Sequence, residues 1–234
     1  MSPILNAARD AARSGQVLEP RSDLGEISLY ISTRFGMVER LVQRLNSGAE
    51  RLILAGKDHR DENVFTAERE GYVLWVDQAL LYDLLIDLDA ILFELTAIID
   101  LFKCLLELIC IHTGVAVPKD LGKELKRILV STGEDTTWFS RLNEHRNFFA
   151  HNGTPFLAID ITGDSWDVIV MKKNVKWFES QGDYFKLSDV NSVMQGFFSS
   201  RIILQHHLVG LYQNSEKAQV ESKSLVPTDD GLGD

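Results

Sequence analysis

Arg146, Asn147 and His151 fall within six residues, inside the run Asn143-Glu144-His145-Arg146-Asn147-Phe148-Phe149-Ala150-His151-Asn152-Gly153. A guanidinium presents a planar fork of donors that matches two phosphate oxygens. An imidazole, with a pKa of about 6.5, moves a proton near neutral pH. Together they suit cleavage of an RNA phosphodiester by its own 2′-hydroxyl. His151 would be the general acid or base, and Arg146 would stabilise the added negative charge. Asn147 and His151 are four residues apart, so they share a helix face and the amide can orient the imidazole. Arg146 and His151 are five apart, about 140° around an ideal helix. Either the helix unwinds at Ala150 to Gly153, or a second copy of the chain completes the site.

Other residues compete for attention. His145 is a second proton carrier or part of a solvated helix face, and Asn143 flanks it; both are candidate RNA contacts. Lys119, Lys123, Lys126 and Arg127 form either an RNA backbone track or a solvated basic face. Arg201-Ile202-Ile203-Leu204-Gln205-His206 repeats the Arg-to-His spacing, but within an apolar helical pattern and with Ile after the arginine. His59 and His112 have no partner spacing. There is no Gly-rich phosphate loop, no HExxH and no carboxylate cluster with metal spacing, so neither metal nor cofactor is expected.

The elements that must position the motif are helical. Residues 1–21 read as a loose arm with a short Ala-rich helix. Leu24, Ile27, Tyr30, Ile31, Met37, Val38, Leu41, Val42 and Leu45 recur at helical spacing, and Asn46-Ser47-Gly48 reads as the stop. From Tyr72 to about His112 the chain follows one long helical pattern, roughly 60 Å if straight. Leu74, Leu81, Leu88, Leu95, Phe102 and Ile109 recur every seven residues. The apolar face is wider than a coiled-coil seam and could also serve a second subunit. Acidic residues interrupt it too often for a membrane span. Lys119–Val130 is a short basic amphipathic helix, and Trp138–Ala150 carries the motif, with Trp138, Leu142 and Phe149 inward. Asn152-Gly153 and Pro155 then stop the chain.

After the motif the period changes. Residues 155–162 and 165–171 read as two strands around a Gly163-Asp164 turn, with a third short strand at Tyr184–Leu187. Ser188 would cap a last helix, Val190–Tyr212, with Val193, Phe197, Ile202, Ile203, Leu208 and Leu211 inward. Residues 215–234 read as an acidic disordered tail.

The formal charge is −10, which counts against nucleic acid as a partner. The acidity is uneven, however. From Tyr72 to Gly114 seven acidic residues face Lys103 alone, while from Val115 to Lys176 nine basic residues balance eight acidic ones. The motif region is therefore permissive for RNA. Cys104 and Cys110 read as buried thiols without a disulfide framework. The N-terminus lacks a signal-peptide apolar core, which points to the cytoplasm.

The pattern Arg146-Asn147-Phe148-Phe149-Ala150-His151 resembles the motif of the HEPN superfamily, helical domains carrying Arg, a polar residue, a few more residues and then His. The long acidic helix before it and the helix after it are similar to that architecture. The resemblance implies an all-α, up-and-down helical bundle over residues 22–214, with a small β-hairpin insertion at about 155–172. It also implies a metal-independent endoribonuclease in which two motifs face each other across a homodimer. The setting it implies is a prokaryotic toxin–antitoxin or phage-defence system, with an antitoxin as a possible partner. Some HEPN toxins carry a tyrosine two residues after the His; Gly153 stands there instead. The alternative is a non-catalytic helical module that binds RNA, or a protein through the long apolar face.

Overall fold

A computed structural model describes residues 2–20, 22–58, 64–67, 71–74, 78–151, 156–160, 165–171 and 184–224, with side chains excluded at 58, 64–67, 71–74 and 215–224. Among them are six helices: α1 (Ser2–Arg13), α2 (Ser22–Asp58), α3 (Gln78–Thr113), α4 (Leu121–Ser131), α5 (Thr137–His151) and α6 (Leu187–Ser224). Five strands, β1 (Val64–Ala67), β2 (Gly71–Leu74), β3 (Phe156–Asp160), β4 (Asp167–Met171) and β5 (Tyr184–Lys186), form one antiparallel sheet in that order. The protein is thus mostly helical with a small sheet. No described helix is long and apolar enough to cross a membrane.

The chain divides into two compact units. The first comprises 1–33, 100–134 and 200–234, and the second 34–99 and 135–199. α2, α3 and α6 each supply residues to both.

In the first unit the expected loose arm is a docked helix. Ile4, Ala8 and Ala11 of α1 recur at helical spacing and are buried. An apolar stripe that finds a core is ordered by it, whatever the polarity of the rest. The segment after α1 is pinned by His112. Its Nε2 lies 2.8 Å from the Leu18 carbonyl and its Nδ1 3.0 Å from the Tyr212 hydroxyl. The first contact requires a proton on Nε2, so in the neutral ring Nδ1 accepts from Tyr212. Burial pushes the Tyr212 phenol up to about 12. Cys110 is buried as expected, whereas Cys104 is exposed, because the wide apolar face of α3 does not reach its position. The tail expected to be disordered from Ser215 continues as α6 to Ser224. Glu216, Lys217, Ala218 and Gln219 are good helix formers, and no glycine or proline intervenes before Pro227.

In the second unit α2 runs through Asn46-Ser47-Gly48 without stopping, and continues to Asp58. Gly48 is there for proximity. A Cβ at that position would stand 2.7 Å from the Leu84 side chain, so a bare backbone lets α2 and α3 approach. Two acidic residues of α3 are buried at this contact. Glu94 meets Arg34 at 2.6 Å, and Asp87 meets Arg44 at 3.0 Å. Leu84, Leu88, Ile91, Leu95 and Ile98 line the core, as their periodicity predicts. The long helix begins at Gln78, not Tyr72. The first residues of that pattern belong to β2, whose Tyr72 pairs with Ile159 of β3. Heptad spacing continued by a single leucine could not reveal this. The hairpin is therefore not an isolated insertion but part of a sheet fed from both sides of α3–α5. β3 and β4 pair from Phe156↔Met171 to Asp160↔Asp167. The expected turn at Gly163-Asp164 lies outside the described residues, as do the stop at Asn152–Pro155 and His59. Ser188 does not cap α6. It donates to Asp167 Oδ2 of β4 at 2.5 Å, while Asp189, in the first turn, accepts the backbone N–H of Lys186 at 2.9 Å.

Candidate active site on the open face of α5

α5 owes its orientation to four residues. Trp138, Leu142, His145 and Phe148 recur at helical spacing and are buried. The Trp138 ring packs edge-on to Phe197 of α6 at 5.7 Å, over Gly196, where a Cβ would stand 2.5 Å from the indole. Phe185 of β5 receives His145 in a stack with ring centroids 4.1 Å apart, and Phe148 and Phe149 contact its edge and flank.

With that stripe held inward, the opposite side is open. Asn143, Arg146, Asn147, Ala150 and His151 are all exposed. Asn143, Asn147 and His151 form an i, i+4, i+8 row, and Arg146 lies on its flank. The helix stays regular through His151. α5 does not unwind at Ala150 or His151, so within one chain Arg146 and His151 remain about 140° apart. Arg146 has no carboxylate partner among the described residues.

His145 departs from the expectation of a solvated face. It is 4 % exposed and sits on the packed side of α5. The signal was in the sequence, since residue 145 lies three after Leu142 and three before Phe148. Its ring lines a cavity of about 440 Å³. Arg141 and Glu144 of α5, Lys186 of β5 and Asp189 of α6 give that cavity both signs of charge. Lys186 bonds Asp160, which holds its ammonium pKa above the usual lysine value, and Arg141 approaches Asp189 at 3.8 Å. His145 thus faces the cavity from the packed side of α5, while Glu144, seven residues before His151 and about 20° from it around the helix, borders both cavity and motif.

The basic residues of α4 belong to the first unit, and the motif to the second. Arg127 is committed to Glu124 through two bonds, at 2.8 and 2.5 Å, which holds the Glu124 carboxyl below its ordinary range. Lys123 lies 3.5 Å from Asp120, the N-cap of α4. Lys119 is exposed and Lys126 half-buried. The repeat of the spacing at Arg201 and His206 lies on α6, with His206 exposed and Arg201 half-buried.

A second group of cations had no counterpart in the sequence reading. Arg40, Arg44 and Arg51 of α2 line one cavity. Their common face shows only once α2 is continuous through Gly48, which a helix stop there conceals. Among the described residues no group of three or more His, Cys, Asp or Glu is placed to hold a metal ion. Comparison of the chain with protein-family models, with curated proteins and with solved structures finds no match.

Proposed function

We propose that this chain is a metal-independent endoribonuclease of the kind the HEPN resemblance implies, acting as a homodimer. The observation that carries the reading is the exposure of Arg146, Asn147 and His151 together on an unbroken helix. Polar residues of this chemistry, turned away from their own core and separated by about 140°, suit a site shared between two copies. Arg146 from one copy then faces His151 from the other across the scissile phosphate.

In the reaction the 2′-oxygen bonds to phosphorus as the bond from phosphorus to the 5′-oxygen breaks. The products are a 2′,3′-cyclic phosphate and a 5′-hydroxyl. His151 either takes the 2′-hydroxyl proton or gives one to the leaving oxygen. Asn147, one turn away, orients the imidazole, and Arg146 neutralises the charge that gathers on the phosphoryl oxygens. The setting we propose is a prokaryotic toxin or phage-defence system.

RNA incubated with the chain in EDTA should be cut, leaving cyclic phosphate ends. Arg146→Ala and His151→Ala should each lower the rate at least ~100-fold. Intact RNA at high concentrations of a folded dimer would reject the reading.

A second reading, a non-catalytic interaction module, is favoured by one observation. Tyr82, Ile86 and Phe93 of α3 are each at least half exposed and share a helix face. A folded chain that leaves RNA whole, and whose self-association is lost in Ile86→Asp, would support it.

A further inference from the structure

An RNA strand is held largely through its phosphates, and a chain of net charge −10 must concentrate cations where the strand lies. α2 does so. From Arg34 to Lys57 it has five basic residues against Glu39 and Glu50. Arg40, Arg44 and Arg51 are spaced i, i+4, i+11, within about 40° of one another around the helix, and Ser47 completes the row. Glu39 and Glu50 each lie one residue, about 100°, away from it.

The three guanidiniums line an open cavity of about 580 Å³, where Gln43 and Ser47 add uncharged donors. α3 forms the other wall, brought close by Gly48. That wall carries Asp83 and Asp87. Asp87 is 4 % exposed and already joined to Arg44 at 3.0 Å. Arg40 and Arg51 are exposed and have no carboxylate partner among the described residues. Two available guanidiniums against the single carboxylate of Asp83 leave the cavity favourable to anions. They stand about 16 Å apart along the helix. That separation is too long for one phosphate and suits a run of successive ones.

We propose that Arg40, Arg44 and Arg51 of α2 seat the phosphate backbone of the RNA strand. The assignment rests on the RNA reading of the α5 motif and adds to it the surface that grips the substrate. Arg40 and Arg51 hold the phosphates through their forked donors, and Arg44 is shared between the strand and Asp87. On α4, by comparison, Arg127 is bonded to Glu124 and Lys123 lies 3.5 Å from Asp120, which leaves those two cations less available than Arg40 and Arg51.

The test is fluorescence anisotropy of a short labelled single-stranded RNA on the full chain carrying His151→Ala, so that the strand is bound and not cut. Adding Arg40→Ala and Arg51→Ala should weaken binding about 10-fold or more. It should also reduce the slope of log K against log salt by about 1.4, the value for two phosphate contacts on a single strand. Lys123→Ala with Arg127→Ala should leave both unchanged. The charge-preserving pair Arg40→Lys and Arg51→Lys should give an intermediate loss, and it serves in place of the alanine pair if that pair does not fold. Unchanged binding in the arginine variants overturns the proposal, as does failure of the His151→Ala chain to bind RNA. So does inorganic tripolyphosphate that displaces RNA at equal phosphate concentration, because the site would then take small polyphosphates. Cleavage by the unaltered chain is scored separately. Arginine-dependent binding without any cleavage would remove the endonuclease reading and leave the RNA seat standing.

Discussion

The imidazole of His145 stacks on the ring of Phe185, 4.1 Å between centroids and 29° between planes. The residue directly before Arg146 therefore ties α5 to β5, and the motif's orientation depends on a buried aromatic contact. His145→Phe keeps a flat ring in that place and should leave RNA cleavage within about threefold of the unaltered chain, while His151→Ala loses at least ~100-fold. Phe185→Ala should cost about 3–5 kcal/mol in urea unfolding. A folded His145→Phe chain as inactive as His151→Ala would make His145 a catalytic group.

Helical glycines with different surroundings should respond in opposite directions. Gly48→Ala and Gly196→Ala place a methyl 2.7 Å from Leu84 and 2.5 Å from Trp138. Each should destabilise by about 1–3 kcal/mol. Gly25→Ala and Gly36→Ala meet nothing within 4 Å and should stabilise by about 0.5–1 kcal/mol. Urea midpoints for the four variants decide the matter, and a neutral Gly48→Ala would mean that α2 and α3 do not need a bare backbone there.

Arg34 and Glu94 form a bridge whose acid is nearly buried. Arg34→Met strands that carboxylate and should cost about 3–5 kcal/mol. The double variant Arg34→Met with Glu94→Leu should recover most of the loss, since an apolar pair needs no counter-ion. Equal destabilisation in the single and double variants would show that Arg34 acts through packing.

His207 gives the fold a pH dependence. Burial depresses its pKa, Glu124 opposes the shift and Arg127 adds to it. The unfolded chain then takes up the proton first, so stability is lost as pH falls through about 6.5 and until the folded value is passed. The melting temperature should fall between pH 7.5 and 5.5 by less in His207→Gln than in the unaltered chain. Parallel curves would exclude His207 as the source.

The helices and the face of α5 were legible where one strong period governs. α3, α5 and most of α6 follow their apolar spacing. Legibility failed where a residue had two meanings. Gly48 reads as a stop by local propensity and acts as a point of close approach, and the stretch that hides is the arginine row. Tyr72–Leu74 fits a helical period and pairs as a strand, because Ile159 offers an edge that only the folded chain presents. At Ile202, expected inward and found 52 % exposed, an apolar residue simply falls on the open side. His145 failed differently. Its position marked it as inward, and its polarity argued against that until Phe185 was in place.

The first compact unit is assembled from three separated stretches, the last of them beginning at Ser200. A ribosome must therefore deliver that stretch before Tyr212 can reach His112 and fix the segment at Leu18. α5 and its motif are synthesised earlier, and the residues of the second unit are complete by Ser199. During translation the chain thus passes through a stage in which the Arg146-to-His151 stretch already exists and the unit containing α1 does not.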